Sequence, residues 1–210
     1  MALPGRFRCG DTPGARYLFR VASGRVVFDA GAMTDDVAGL ARFDAMPDGA
    51  ATEALLACCS SPEWARALVA GRPYPSVGAL LDAADAVLAG LPESEIDRAL
   101  AGHPRIGERP DQERLRTADA RGRTAASARE QAGVATAGDA VRSALADGNR
   151  AYEARFGHRY LVCASGRSGS ELLAILDERL GNDAETERRV MRTELAKINR
   201  LRLRALLAAR

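Results

Sequence analysis

The chain has 210 residues, enough for one well-buried domain and short for two. Its 30 Lys plus Arg against 28 Asp plus Glu leave a formal net charge of +2, which lacks the basic excess a dedicated nucleic-acid binder relies on. Only two histidines occur, His103 and His158, so a His-rich metal site is excluded.

The four cysteines, Cys9, Cys58, Cys59 and Cys163, contain no C-x-x-C pair, which excludes a zinc ribbon or a thioredoxin-type redox site. Cys58 and Cys59 sit in an apolar run and read as buried small hydrophobes, and all four read as free thiols. No run approaches the roughly 18 uninterrupted apolar residues of a membrane span, and the basic N-terminus is not followed by an apolar signal core. The expectation is a cytoplasmic protein.

Residues 1–33 are rich in Gly, Arg and Pro without helical period, with a weak alternation from Tyr17 to Ala30 around Ser23-Gly24 that would suit a hairpin. This segment is either a poorly ordered extension or a small accessory element, and the functional domain is expected over 34–210. Thr34-Asp35-Asp36 resembles a helix cap, with Val37, Leu40 and Ala41 on one face of the helix that follows. Two short helical runs, 50–59 and 62–70, are broken at Ser60-Ser61-Pro62, and Arg72-Pro73-Tyr74-Pro75 is a rigid connector. Ser76 caps an amphipathic helix carrying Leu80, Leu81, Ala84, Val87, Leu88 and Leu91. Pro92 ends it, and a short helix follows from Glu93 to Leu100.

Residues 105–123 are polar, Arg-rich and broken by Gly and Pro, the composition of an ordered loop. Helices are then expected over 124–132, stopping at Gly133, over Asp139–Phe156, over 168–180 and over 184–208. The last should bury Val190, Leu195, Ile198, Leu201 and Ala205, with Asn182 and Glu185 forming its cap. Tyr160 to Ala164 is short, apolar and flanked by Gly157 and Gly166, so it reads as extended. No internal repeat occurs. The expected fold is all-α, a single domain of about eight helices with one extended segment near 160–164.

Four features could carry chemistry. His103 precedes Pro104, which disfavours helix at the residue before it, so His103 should stand just past a helix C-terminus. There the dipole favours an imidazolium suited to acid–base work, or the histidine is a simple cap. Ser127, Glu130 and Gln131 share one helix face and make either a polar set that could hold a hydrogen-bond-rich ligand or a capping box. The extended segment Tyr160–Ala164 has backbone groups in need of partners, supplied by a planar heterocycle or by neighbouring helices. Arg202 sits between leucines, which suits a snorkelling surface residue more than an inward anchor.

Their joint order and spacing resemble the 2-oxo-4-hydroxy-4-carboxy-5-ureidoimidazoline (OHCU) decarboxylase family. The likeness runs from about Phe43 to Leu207. It passes through Cys58-Cys59-Ser60-Ser61, Trp64-Ala65, Arg72-Pro73-Tyr74, His103-Pro104, Ser127-x-x-Glu130-Gln131 and Tyr152 to Gly157. It ends with Arg179-Leu180-x-Asn182, Glu194, Lys197-Ile198 and Leu201-Arg202-Leu203. The resemblance implies a cofactor-independent, metal-independent carboxy-lyase of urate degradation, homodimeric, yielding (S)-allantoin; the charge balance and the lack of an apolar span set the expectation of no nucleic acid and no membrane as partner.

It further implies His103 as acid/base with Glu130 as its partner. Substrate would be lined by Pro104, by Ser127, Ala128, Arg129 and Gln131, by Tyr160, Leu161, Val162, Cys163 and Ala164, and by Arg202. Arg159 and Tyr160 stand where many relatives carry Pro and Phe. The rival reading is a non-enzymatic all-α ligand- or DNA-associated binding module, whose best support is the Arg-rich 105–123 stretch.

Overall fold

Short polar side chains cap four of the helices. The computed structural model describes residues 21–22, 25–26, 30–107 and 125–209. Its helices are α1 (Ala30–Ala45), α2 (Asp48–Cys58), α3 (Pro62–Ala70), α4 (Val77–Gly90), α5 (Glu93–Ala101) and α6 (125–130). They continue as α7 (Ala132–Ala135), α8 (Asp139–Phe156), α9 (Gly169–Arg179) and α10 (Ala184–Ala208). Ser61, Ser76, Ser168 and Asp183 each accept the backbone N–H three residues on, filling a donor that the helix start leaves open. At Ser168 the Glu171 carboxylate returns the favour, completing a capping box.

The fold is all-α, as expected, with ten helices among the described residues. Ahead of them Val21–Ala22 (β1) and Arg25–Val26 (β2) pair antiparallel, Val21 opposite Val26, on either side of Ser23-Gly24. The rest of the N-terminal extension with Cys9, and residues 108–124 of the Arg-rich stretch, lie outside the described residues. No helix among the described residues is long and apolar enough to cross a membrane.

Four expectations need correction. α1 starts at Ala30, ahead of the Thr34-Asp35-Asp36 cluster, and it buries Leu40 and Phe43 while Val37 and Ala41 face solvent. Gly133 does not end helix; it lies inside α7, where its missing side chain lets the Arg167 carbonyl approach. Asp183, not Asn182, caps α10, and the Asn182 side chain turns inward to Glu187 at 2.8 Å. On α10 Leu201 and Ala205 are exposed, and the inner face carries Glu187, Met191, Glu194, Leu195, Ile198, Asn199, Arg202, Leu203 and Leu207. An apolar pattern cannot find a face that is partly charged.

The core has two clusters. The larger joins α1 to α5 with α10 and centres on Trp64, Leu68, Leu80, Leu81, Ile96 and Leu195. Trp64 is fully buried and its indole N–H finds the Ala84 carbonyl at 3.0 Å, as a buried indole must. The smaller packs α8 on α9 around Leu145, Tyr152, Tyr160, Leu172 and Leu176. The segment 160–164 is non-helical and threads between them, with Leu161 in the first cluster and Tyr160, Val162 and Ala164 in the second. Arg188 and Arg192 reach Glu93, Arg188 also reaches Asp97, and Arg200 reaches Asp82 and Asp85. Each exposed pair contributes little stability, but together they set the position of α10 along α4 and α5.

Below the extended segment lies a buried polar knot. Glu187, fully buried, accepts Nε and Nη2 of Arg179 at 2.9 and 2.5 Å, together with the Tyr152 hydroxyl and Asn182. Nη1 of Arg179 donates to the Leu161 carbonyl at 2.7 Å, and its guanidinium lies 4.9 Å from the Tyr160 ring centroid. Burial opposes the Glu187 charge, but the hydrogen bonds from Arg179, Tyr152 and Asn182 outweigh it and hold the carboxyl below its usual pKa. Its stabilising contribution is therefore complete above the ordinary carboxylate range and is lost as pH falls through the lowered folded value. Glu187→Gln should cost about 3 kcal/mol at pH 7, because it strands the buried Arg179 charge. The cost should shrink as pH falls through the lowered folded value of Glu187. Urea melts of both proteins at several pH values read this; parallel stability curves would show that the knot is not a charge pair.

Candidate active site

The site is built where the end of α2, the loop after α5 and helix α6 meet the inner face of α10. Cys58 ends α2, His103 follows α5, Ser127 and Glu130 lie on α6, and Arg202 comes from the inner face of α10. Arg202 is 5% exposed, so the surface reading of this residue is overturned. Its Nε and Nη2 grip both oxygens of Glu130 at 2.8 and 2.9 Å, the fork geometry that suits a planar guanidinium. Nη2 also reaches Ser127 Oγ at 3.0 Å and His103 Nδ1 at 3.5 Å, and Nη1 donates to the Cys58 carbonyl at 3.2 Å. Three of the four sequence candidates thus meet at one guanidinium.

Ser127 lies inside helix and its hydroxyl serves Arg202, so the capping-box reading fails. A guanidinium only donates, so His103 Nδ1 is the acceptor in its contact with Arg202.

The histidine loop is fastened along its length. His103 N–H donates to the Leu100 carbonyl at 3.0 Å, and its own carbonyl accepts Nη1 of Arg159 at 2.7 Å. Arg105 makes a two-pronged pair with Glu153 at 2.6 and 2.8 Å. Asn149 Nδ2 holds the Ile106 carbonyl at 3.0 Å, and Gln131 Oε1 accepts the Gly107 N–H at 3.0 Å. Gly102 is set close against Ser60, and a Cβ there would overlap Ser60 Oγ. The Cys58-to-Ser61 turn therefore fixes how near the histidine loop can come. Ser61 is itself anchored by a 2.6 Å bond to buried Glu95, whose carboxyl is held low chiefly by that bond.

The extended segment draws on neighbouring helices for some of its backbone partners. Helices supply partners for two of its backbone groups: Arg179 for the Leu161 carbonyl and Glu194 for the Cys163 N–H at 2.8 Å. Those two groups are engaged within the protein. The Tyr160 hydroxyl donates to the Leu172 carbonyl at 3.3 Å. Cys163 is half-buried, and Glu194 in turn pairs with Lys197 at 2.5 Å. Pro104 is half-buried beside His103, whereas Ala128 and Arg129 are exposed on the outer side of α6.

Burial pushes the Cys58 thiol up to about 12 and the Cys59 thiol up to about 11, so both stay protonated near neutral pH and neither is a nucleophile. Among the described residues no cluster of His, Cys, Asp and Glu has an arrangement that could hold a metal ion.

Sequence reasoning passed over Arg179, Glu187 and Glu194 as supports of the site. A signal existed for Arg202: it follows the apolar Leu195 and Ile198 at i+7 and i+4, so it falls on their buried face.

Residues 44–204 match the family model described as OHCU decarboxylase. The chain is 33% identical over 144 residues to the 2-oxo-4-hydroxy-4-carboxy-5-ureidoimidazoline decarboxylase of Amia calva, covering 68% of this chain and 78% of that one. It is 31% identical over 146 residues to the uric acid degradation bifunctional protein TTL of Arabidopsis thaliana, covering 70% of this chain but only 44% of that longer protein. The fold resembles a crystal structure of OHCU decarboxylase in the presence of (S)-allantoin, with a TM-score of 0.62, 24% identity, and coverage of 75% of this chain and 99% of that one. It also resembles an (S)-allantoin synthase structure, with a TM-score of 0.60, 17% identity, and coverage of 80% and 53%. By the extent of the family match and the Amia calva likeness, the chain belongs to the OHCU decarboxylase family.

Proposed function

We propose that the chain is a carboxy-lyase that converts 2-oxo-4-hydroxy-4-carboxy-5-ureidoimidazoline to (S)-allantoin in urate degradation. The observation that carries this is the Arg202 fork joining His103, Ser127 and Glu130 within a chain of that family.

The substrate carboxylate sits on a ring carbon next to a C=N bond. When the bond to the carboxylate breaks and CO₂ leaves, the electron pair moves into the ring toward that C=N, so the substrate is its own electron sink. The 4-hydroxyl loses its proton as its carbon becomes a carbonyl. The ring nitrogen and the neighbouring carbon bearing the ureido group each gain one, for a net uptake of one proton. Protonating that carbon on one face sets the hand of the product.

His103 is the acid/base for these transfers, and Glu130 is its partner through Arg202. Locked at both carboxylate oxygens, Glu130 keeps the guanidinium oriented and offsets its charge. Among the described residues the close bonds to Glu130, Ser127 and Cys58 use four of the five N–H groups of Arg202, with the His103 contact at 3.5 Å beyond them, and the second N–H of Nη1 would serve a substrate oxygen. Preorganised donors of this kind stabilise developing charge without reorganising during the reaction. Pro104, the Gln131 amide and the Tyr160–Ala164 segment line the ring. We further propose a cytoplasmic homodimer, on the family resemblance; light scattering of the purified chain reads one or two copies.

The test uses substrate made in the cuvette from urate by the two preceding enzymes, with circular dichroism following chiral allantoin. A fast rise of one enantiomer's signal on adding this protein is the expected result. A rate no greater than spontaneous decay would sink the assignment and favour the binding-module reading.

A further inference from the structure

The side chain of Arg159 bridges two parts of the site that sequence places 56 residues apart. Its Nη1 donates to the His103 carbonyl at 2.7 Å and reaches the Ala101 carbonyl at 3.4 Å, so it closes the C-terminal end of α5. Arg159 directly precedes Tyr160–Ala164, and the Leu161 carbonyl of that segment is clamped by Arg179. One end of Arg159 is thus anchored in the extended segment and the other holds the backbone of His103. Glu153 steadies the arrangement. Its carboxyl is held below the ordinary range chiefly by hydrogen bonds from Arg105, with the charges of Arg105 and Arg159 adding to the effect. The carboxylate is thus paired with the Arg105 guanidinium on the histidine loop and feels the charge of Arg159 beside the extended segment.

We infer that Arg159 is a positioning residue for the proposed decarboxylation, tying the His103 loop to the 160–164 segment so that the imidazole and the substrate-lining backbone keep one spacing. The inference rests on the reading of His103 as acid/base. Arg159 contacts the histidine through its carbonyl, so its effect falls on the placement of the imidazole. The proline after His103 stiffens the backbone but supplies no N–H, so the Arg159 bond to the His103 carbonyl adds to the Leu100 bond in holding this part of the loop. A displacement of about 1 Å at a catalytic group costs up to about 100-fold in rate.

The experiment measures kcat, KM and the thermal midpoint for wild type, Arg159→Met, Arg159→Lys and His103→Asn with freshly generated OHCU. Methionine keeps an apolar stem and removes the donor; lysine restores one donor to carbonyls that need only one. The expected result is a kcat about 10-fold to 100-fold lower in Arg159→Met, with KM within about threefold of wild type. Arg159→Lys should recover much of the loss. An unchanged kcat in Arg159→Met would overturn the inference. So would a loss confined to KM, which marks a substrate contact, or a kcat loss that lysine fails to rescue while both midpoints fall together, which marks a purely structural role. The parent readings fail differently: inactive wild type removes the decarboxylase assignment, and wild-type turnover in His103→Asn removes the catalytic histidine. Either result overturns this inference as well.

Discussion

Arg202→Met should cut turnover sharply and weaken the fold together. The side chain serves Glu130, Ser127, Cys58 and His103 at once, so its loss frees every proposed catalytic group from its present orientation. Glu130 would be left as a carboxylate without its two-pronged partner. Breaking a fully buried pair costs about 3–5 kcal/mol; Glu130 keeps some solvent contact, so about 2 kcal/mol is expected here. Turnover should drop on the order of 10²–10³-fold, the scale for removing a preorganised donor from a reacting site. Arg202→Lys separates the two effects. An ammonium restores charge to Glu130 but cannot make the planar fork, so stability should recover more than rate. Urea melts and enantiomer-resolved turnover on the same preparations test this. A fully active Arg202→Met protein would remove the guanidinium from the mechanism.

His103→Asn should leave the fold intact and cost about 10²–10⁴-fold in kcat, the usual range for a general acid–base group. The backbone bonds at this position, to Leu100 and from Arg159, do not depend on the imidazole. Asparagine keeps a polar side chain toward Arg202 but cannot take up a proton near neutral pH. The product that still forms should lose its excess of one hand, because protonation would no longer be directed to one face. Rate and enantiomeric excess, both read by circular dichroism, should therefore fall together. Retained stereochemistry at a reduced rate would point to another proton donor.

The helices were legible where the chain punctuates itself with short polar caps and prolines. Ser61, Ser76 and Ser168 sit where an N–H donor needs an acceptor, and Pro92 stands where a helix has to stop. The misread starts share one cause. Thr34-Asp35-Asp36 and Asn182 are good caps in isolation, but α1 begins earlier and Asp183 is the residue whose carboxylate meets the Thr186 N–H. Local preference offers several caps, and packing selects one.

The inner face of α10 was the harder case. Glu187, Glu194, Asn199 and Arg202 are buried there, and hydrophobic periodicity assigns such residues to solvent. Glu187, Glu194 and Arg202 are tolerated inside because their partners arrive from α6, from α8, from α9 and from the extended segment, distant in sequence. For the same reason Ser127 and Glu130 read equally well as a cap until Arg202 was found against them.

The sequence by itself determined the all-α class, the extended break at 160–164, the exclusion of Cys- and His-rich metal chemistry, and the residues His103, Ser127, Glu130 and Arg202 as candidates. The first three follow from local rules of period, proline and side-chain chemistry; the four residues stand out from simple caps and surface side chains only through the joint pattern that resembles the family. Only the tertiary structure decided that Arg202 is buried, that it joins Glu130, Ser127 and His103, and that Leu161 and Cys163 spend backbone groups on Arg179 and Glu194. A charge goes inside only when its partners are present, and those partners are brought together by the packing of α10 against the rest of the bundle.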